Sequence, residues 1–300
     1  MINSQLLREL NRIKVRLDIK KNLNSVFDKI YFKLSEYIFL KKISLSHPLI
    51  VGISGGQGSG KTTFVEFLKK ILELKYNLKC YSISIDDIYK TKRDRFLLSK
   101  KKHKLFFTRG VPGTHDTKYL INYFKNLEDL KAGKKIFTIP KFNKAIDDRV
   151  SKKHWYRFSN KCDIILFEGW CVGATAENNK SILGKPINNL EKAEDRQCVW
   201  RKLVNNHLKK DYKILYSFID FMIYLKAPSF KKVLEWRTLQ EKKLSKFKKK
   251  KNLIMNNSQL QRFVMFYERI TQHMFKHMPK SADIVIPINF QHQPMNVTLK

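Results

Sequence analysis

The stretch GISGGQGSGKT at 52–62 constrains the fold more than any other part of the chain. Gly55, Gly60, Lys61 and Thr62 satisfy GxxxxGK[ST]. They fall between an apolar run at 49–54 and a segment with helical apolar spacing through Phe64, Phe67, Leu68 and Ile71. Strand, glycine loop and helix in that order make a phosphate cradle. Glycines let backbone N–H groups turn inward around phosphate oxygens, and the helix N-terminus adds the positive end of its dipole. Gly55, Gly56, Gln57, Gly58, Ser59, Gly60, Lys61, Thr62 and Thr63 are therefore expected to hold the nucleotide. Lys61 should reach the β and γ phosphates and the Thr62 hydroxyl should coordinate magnesium, so ATP and Mg2+ are the implied cofactors.

Around this unit, strand-like and helix-like runs alternate, the pattern of an α/β domain with a mainly parallel central sheet flanked by helices. Further buried strands are expected at 80–85, 163–167, 218–225 and 283–288, and helices at 117–132, 190–208, 229–246 and 258–277. Residues 5–39 read as amphipathic helix. Residues 1–48 are thus expected to form an N-terminal helical extension and residues 49–300 the phosphate-loop domain, with a helical lid at 229–257. A length of 300 residues with 43% hydrophobic content suffices for a sizeable core.

Composition narrows the setting. Cys80, Cys162, Cys171 and Cys198 have neither CxxC pairing nor metal-ligand spacing, which favours reduced thiols over a disulfide framework. No apolar run approaches the ~18 residues that span a bilayer, so a cytoplasmic protein with no membrane span is expected. The net charge of +35 suggests nucleic acid. The excess is mostly lysine spread along the chain, however, without a zinc-finger or RNP signature, and is read as solvated surface. Nothing in the sequence fixes an oligomeric state.

Two acidic positions fall where open parallel sheets bind ligands, beyond the carboxyl ends of strands. Glu168 ends the run DIILFE and is placed to hold magnesium or its water. Asp86 and Asp87 end the second strand; either can accept a proton from an attacking hydroxyl, or serve as a turn or helix-capping aspartate.

Five segments together resemble the P-loop kinases of the D-glycerate 3-kinase type, relatives of uridine kinase, phosphoribulokinase and pantothenate kinase. They are SIDDIY at 84–89, RGVPGTHD at 109–116, IPKFNKAIDDR at 139–149, ILFEGWCVGA at 165–174 and LKAPSFKKVLEWRTLQEKKL at 225–244. The resemblance covers most of 49–290. It implies phosphoryl transfer from ATP to a small carboxylate, with D-glycerate as acceptor and Asp86 as catalytic base, Asp87 being the runner-up; a nucleoside, pantothenate or a sugar phosphate is the alternative acceptor, and a nucleic-acid-associated ATPase the alternative class. It also implies that RGVPGTHD binds the acceptor. Arg109 is then the carboxylate clamp, since guanidinium offers a bidentate fork, and His115 either touches substrate or caps and packs. Lys144 and Arg149 are read as further acceptor-binding cations. Phe142, Asn143 and Ala145 depart from the family's Tyr, Asp and Ser. Arg237 lies on the lid helix, where it either closes over the transferring phosphate as an arginine finger does or pairs with Glu241 on the surface.

Overall fold

Leu49, Val51 and Ile53 bury their side chains in one apolar cluster, while Ile50 enters another, so the strand that carries them is covered on both faces. The computed structural model describes residues 4–127, 135–159, 161–247 and 255–299. Its strands are β1 (Leu49–Gly55), β2 (Cys80–Ser84), β3 (Ile136–Ile139), β4 (Phe142–Asn143), β5 (Asp148–Arg149), β6 (Tyr156–Ser159), β7 (Ile164–Gly169), β8 (Phe221–Lys226), β9 (Ile284–Pro287) and β10 (Thr298–Leu299). The central sheet runs β10-β9-β8-β1-β7-β2; its pairings are parallel except for β10 on β9. Two small antiparallel ribbons, β3 with β6 and β4 with β5, stand beside it.

The helices divide between the two faces. In chain order they are α1 (Ser4–Arg16), α2 (Asn24–Val26), α3 (Lys33–Ile43), α4 (Lys61–Tyr76), α5 (Lys92–Lys101), α6 (Thr117–Lys125), α7 (Lys180–Gly184), α8 (Asn189–Glu194), α9 (Val199–His207), α10 (Lys213–Tyr216), α11 (Phe230–Phe247) and α12 (Asn257–Ser281). Leu6, Leu10 and Ile13 of α1 and Leu34 and Ile38 of α3 share a cluster with Phe64, Phe67, Leu68 and Ile71 of α4. Phe27 and Tyr31 meet Phe67 edge to face at 5.1 and 5.6 Å. The opposite face is covered by α6, α9, α10 and α12, through residues such as Leu120, Val204, Leu215 and Ile270.

Three expected elements differ in extent. The helix expected at 190–208 is two helices, because the buried Asp195 turns its carboxylate onto the backbone N–H groups of Trp200 and Arg201 and caps a new helix there. The amphipathic stretch 5–39 breaks after α1, where Asp18 adopts a positive φ of 52°. The helix expected at 117–132 ends at Lys125 in α6, and residues 128–134 lie outside those described. Residues 248–254 of the expected lid also lie outside them.

Phe67→Ala should cost about 3–5 kcal/mol, since it empties a 1%-exposed site lined by aromatic rings from the N-terminal helices. Urea unfolding followed by circular dichroism checks this, and a cost below about 1 kcal/mol would mean that the N-terminal helices do not share this core.

Candidate active site

The parallel register assembles the site. Glu168 of β7 lies level with Ile53 of β1 and Ser84 of β2, so the phosphate loop, Glu168 and the Asp86–Asp87 turn all emerge at one sheet edge. Gly60 takes φ +89° as it leads into α4, and Gly58 takes φ +74°. A Cβ at Gly58 would lie 2.9 Å from Trp236 Cβ and 3.2 Å from the Arg237 backbone nitrogen, so α11 rests directly on the loop.

Within this loop Lys61 Nζ donates to the carbonyls of Gly55 (2.8 Å) and Gly56 (3.0 Å). The Gln57 amide and the Ser59 hydroxyl are buried without partners among the described residues. Buried polar atoms left unpaired are costly, so a cradle holding several of them fits a ligand rich in acceptor oxygens. Nucleotide phosphates meet that requirement. The Thr62 hydroxyl donates to Glu168 Oε1 at 3.3 Å, giving a pair of hard oxygen donors. Among the described residues no three His, Cys, Asp or Glu side chains cluster as a complete metal cage. Magnesium suits such a sparse site, because it keeps waters and shares phosphate oxygens.

Opposite the loop stands Asp86. It accepts hydrogen bonds from Lys144 Nζ (2.5 Å) and the Tyr89 hydroxyl (2.9 Å). Burial alone would raise its pKa, yet the Lys144 charge and hydrogen bond, with His115 and Tyr89 adding, hold it well below the usual carboxylate range. Burial lowers the Lys61 pKa and raises that of Glu168; the two oppose these shifts in each other, and both feel Asp86 and Lys144. The charges of the phosphate loop and of the Asp86 turn therefore share one field.

Asp87 sits in a different environment. It accepts a 3.4 Å bond from the Phe142 backbone N–H, and burial, reinforced by Asp86 and Glu168, pushes its pKa up to about 7. The other expected site residues fall around this pair. Arg109 pairs with Asp147, which also holds the fully buried Arg95 at 2.9 Å, and Arg109 lies 5.6 Å over the Phe142 ring. Arg149 commits Nε to Tyr89 O (2.7 Å) and Nη2 to Ile88 O and Asp116 (3.3 Å each), tying the Asp86 turn to RGVPGTHD. His115, 1% exposed, stacks on Tyr89 at 4.4 Å, and burial lowers its pKa to about 3. Arg237 contacts Gln240 and lies 5.6 Å over Phe263, with the Glu241 side chain outside the described residues.

Several residues that hold this arrangement carry no motif signal. Trp170 Nε1 donates to Gly110 O, and Tyr267 donates to Arg109 O while filling the space a Cβ on Gly110 would need. Arg95 binds the carbonyls of Lys90, Phe107 and Asp147. Of these three, only Trp170 lies inside a segment quoted from the sequence. Trp170, Trp200 and Trp236 are buried.

A phosphate loop on a parallel sheet, with carboxylates beyond two neighbouring strands, defines a P-loop nucleotide-binding domain. The model of the KAP family P-loop domain matches residues 27–265. The chain belongs to this P-loop family, and its relatives include D-glycerate 3-kinases. It is 29% identical over 256 residues to the chloroplastic D-glycerate 3-kinase of Arabidopsis thaliana, across 80% of this chain and 53% of the relative. It thus spans about half the length of that protein. It is 30% identical over 201 residues to the uncharacterized kinase mug58 of Schizosaccharomyces pombe, across 65% of this chain and 70% of the relative. A solved structure, D-glycerate 3-kinase from Cryptococcus neoformans, superposes with a TM-score of 0.75 at 20% identity over 90% of this chain and 99% of that one, a likeness of fold. Among the described residues, no helix is long and apolar enough to cross a membrane. All four cysteines are free and buried.

Because Asp87 is held neutral by burial, its ionisation opposes folding from its ordinary value of 3.8 up to about 7. The stability it contributes is complete below the lower value and lost as pH rises through the upper one. Asp87→Asn should therefore flatten the decline in denaturant midpoint between about pH 4 and about pH 7. A slope unchanged by the substitution would place the Asp87 carboxylate in water.

Proposed function

We propose that the chain is an ATP- and magnesium-dependent kinase that phosphorylates the 3-hydroxyl of D-glycerate. The observation that carries this reading is Asp86, a half-buried carboxylate in the shared field of Lys61 and Glu168 and capped by the mobile-length side chain of Lys144. The name of the Arabidopsis relative supports the choice of acceptor.

In this reading the loop from Gly55 to Thr63 holds the ATP phosphates, with Lys61 leaving the loop carbonyls for the β and γ oxygens. Thr62 and Glu168 hold magnesium, which supplies charge neutralisation when bound. The acceptor carboxylate takes Lys144 and shares the Arg109 guanidinium with Asp147. Removing Lys144 from Asp86 frees the carboxylate and restores its basicity, so the base is released by the substrate it serves. Asp86 then takes the hydroxyl proton as that oxygen bonds to the γ phosphorus and the bond to ADP breaks. Positioning matters more than base strength in such loose transfers, which favours Asp86 over the more basic Asp87 turned toward Phe142. Arg149 acts as the tie between the two acceptor segments. The lid at 229–257 closes over the phosphates, with Arg237 already carried on the helix that rests against Gly58. Residues 1–48 serve as an extension braced on α4.

ADP release measured with D-glycerate, pantothenate, uridine, RNA and no acceptor tests the reading. D-glycerate should stimulate turnover, Asp86→Asn should lower kcat by about 10²–10⁴ with the KM for ATP little changed, and Lys61→Ala should abolish transfer in a folded protein. Near-normal turnover by Asp86→Asn, or stimulation by RNA alone, would refute it.

A further inference from the structure

Tyr212 lies far from every motif, in a π-helical turn at Leu208–Tyr212, yet its hydroxyl reaches the acceptor loop. It sits 2.5 Å from His115 Nδ1 and accepts a 3.1 Å hydrogen bond from the Gly113 backbone N–H. Tyr212 is 0% exposed, and the His115 backbone also lies against its hydroxyl. The hydroxyl has one hydrogen, and the Gly113 N–H occupies an oxygen lone pair. The hydrogen is therefore directed at Nδ1, which must be the bare, accepting nitrogen. The proton of a neutral imidazole then resides on Nε2. That atom is buried and has no partner among the described residues. It is a donor without an acceptor, on a ring stacked against Tyr89, whose own hydroxyl bonds Asp86.

We propose that Tyr212 is a positioning residue that fixes His115 as the Nε2–H tautomer, and that this N–H donates to an oxygen of the acceptor molecule beside Asp86. The proposal rests on reading this pocket as the acceptor site. The arrangement suits the chemistry: a neutral donor orients a hydroxyl or carboxylate oxygen without adding a second charge to compete with Lys144 for Asp86. An imidazolium here would face Lys90 and lack water, whereas Asp86 offers the compensating charge; burial outweighs that attraction and keeps the ring neutral. The Tyr212 phenol also stays protonated, since burial raises its pKa well above the usual value.

Long-range proton–nitrogen correlation on the full chain labelled with nitrogen-15 histidine reports the tautomer directly, with His115 assigned among the 8 histidines by its absence from His115→Gln. The expected result is a protonated Nε2 and a bare Nδ1 from about pH 5 to about pH 8. In Tyr212→Phe that single state should give way to a tautomer mixture. An Nδ1–H tautomer, an imidazolium near pH 6, or a tautomer unchanged in Tyr212→Phe overturns the positioning role. His115→Gln keeps an N–H near the Nε2 position and should hold the acceptor KM within about threefold. His115→Leu and Tyr212→Phe should raise it about three- to tenfold, the size of one neutral hydrogen bond, with the KM for ATP unmoved. Equal losses in His115→Gln and His115→Leu overturn the donor role. The tautomer is recorded without any acceptor, and the KM comparison uses whichever of D-glycerate, pantothenate and uridine supports turnover. If D-glycerate is inert but the pattern holds with another acceptor, the proposal stands and the glycerate reading falls. If none of the three perturbs the Nε2 resonance, the donor role is overturned.

Discussion

The site depends on the hydrogen-bonded register between β1, β7 and β2. Aligning Glu168 with Ile53 and Ser84 brings the phosphate loop, its carboxylate partner and the Asp86 turn to one level of one sheet edge. A slip of one residue would swing Glu168 to the other face of the sheet and leave Thr62 without its partner. Burial on both faces protects this register: the strands contribute to the α1–α3–α4 layer and to the α6–α9–α10–α12 layer at alternate positions.

Upon this frame the Asp86 side of the site is tied together by a few buried cations. Arg95 and Arg149 spend their donors on backbone carbonyls and on Asp147 and Asp116, which ties the Asp86 turn, RGVPGTHD and the β4–β5 ribbon to one another. A buried guanidinium is tolerated only when its hydrogen bonds are satisfied, which makes these contacts specific. Lys144 differs, being exposed and bonded to Asp86 alone among the described residues. Rigid cations hold the shape of the pocket, and the exposed one is available for exchange with a ligand.

Much of this was legible in the sequence. GxxxxGK[ST] with its flanking strand and helix announced the donor loop, and apolar runs ending in Glu168 and Asp86 announced the shared edge. Local signals failed where tertiary contacts decide. Asp195 looks like any helical acid until its carboxylate is seen capping α9. Tyr212 lies in a lysine-rich stretch, and Arg95 in another, with nothing in the spacing to mark them as buried anchors. Arg109 and Arg149 were expected as acceptor-binding cations; their engagement with Asp147 and Asp116 follows from chain crossings that periodicity does not encode.

In the proposed function this edge joins an ATP site to a small hydroxy-acid site in transfer geometry. The direct measurement is proton-coupled phosphorus-31 NMR of the product formed from ATP, magnesium and D-glycerate. The expected product is a new phosphomonoester split into a triplet by an adjacent CH2, the signature of phosphate on the 3-hydroxyl. A doublet from phosphate on the 2-hydroxyl, or inorganic phosphate with no new ester, would contradict it.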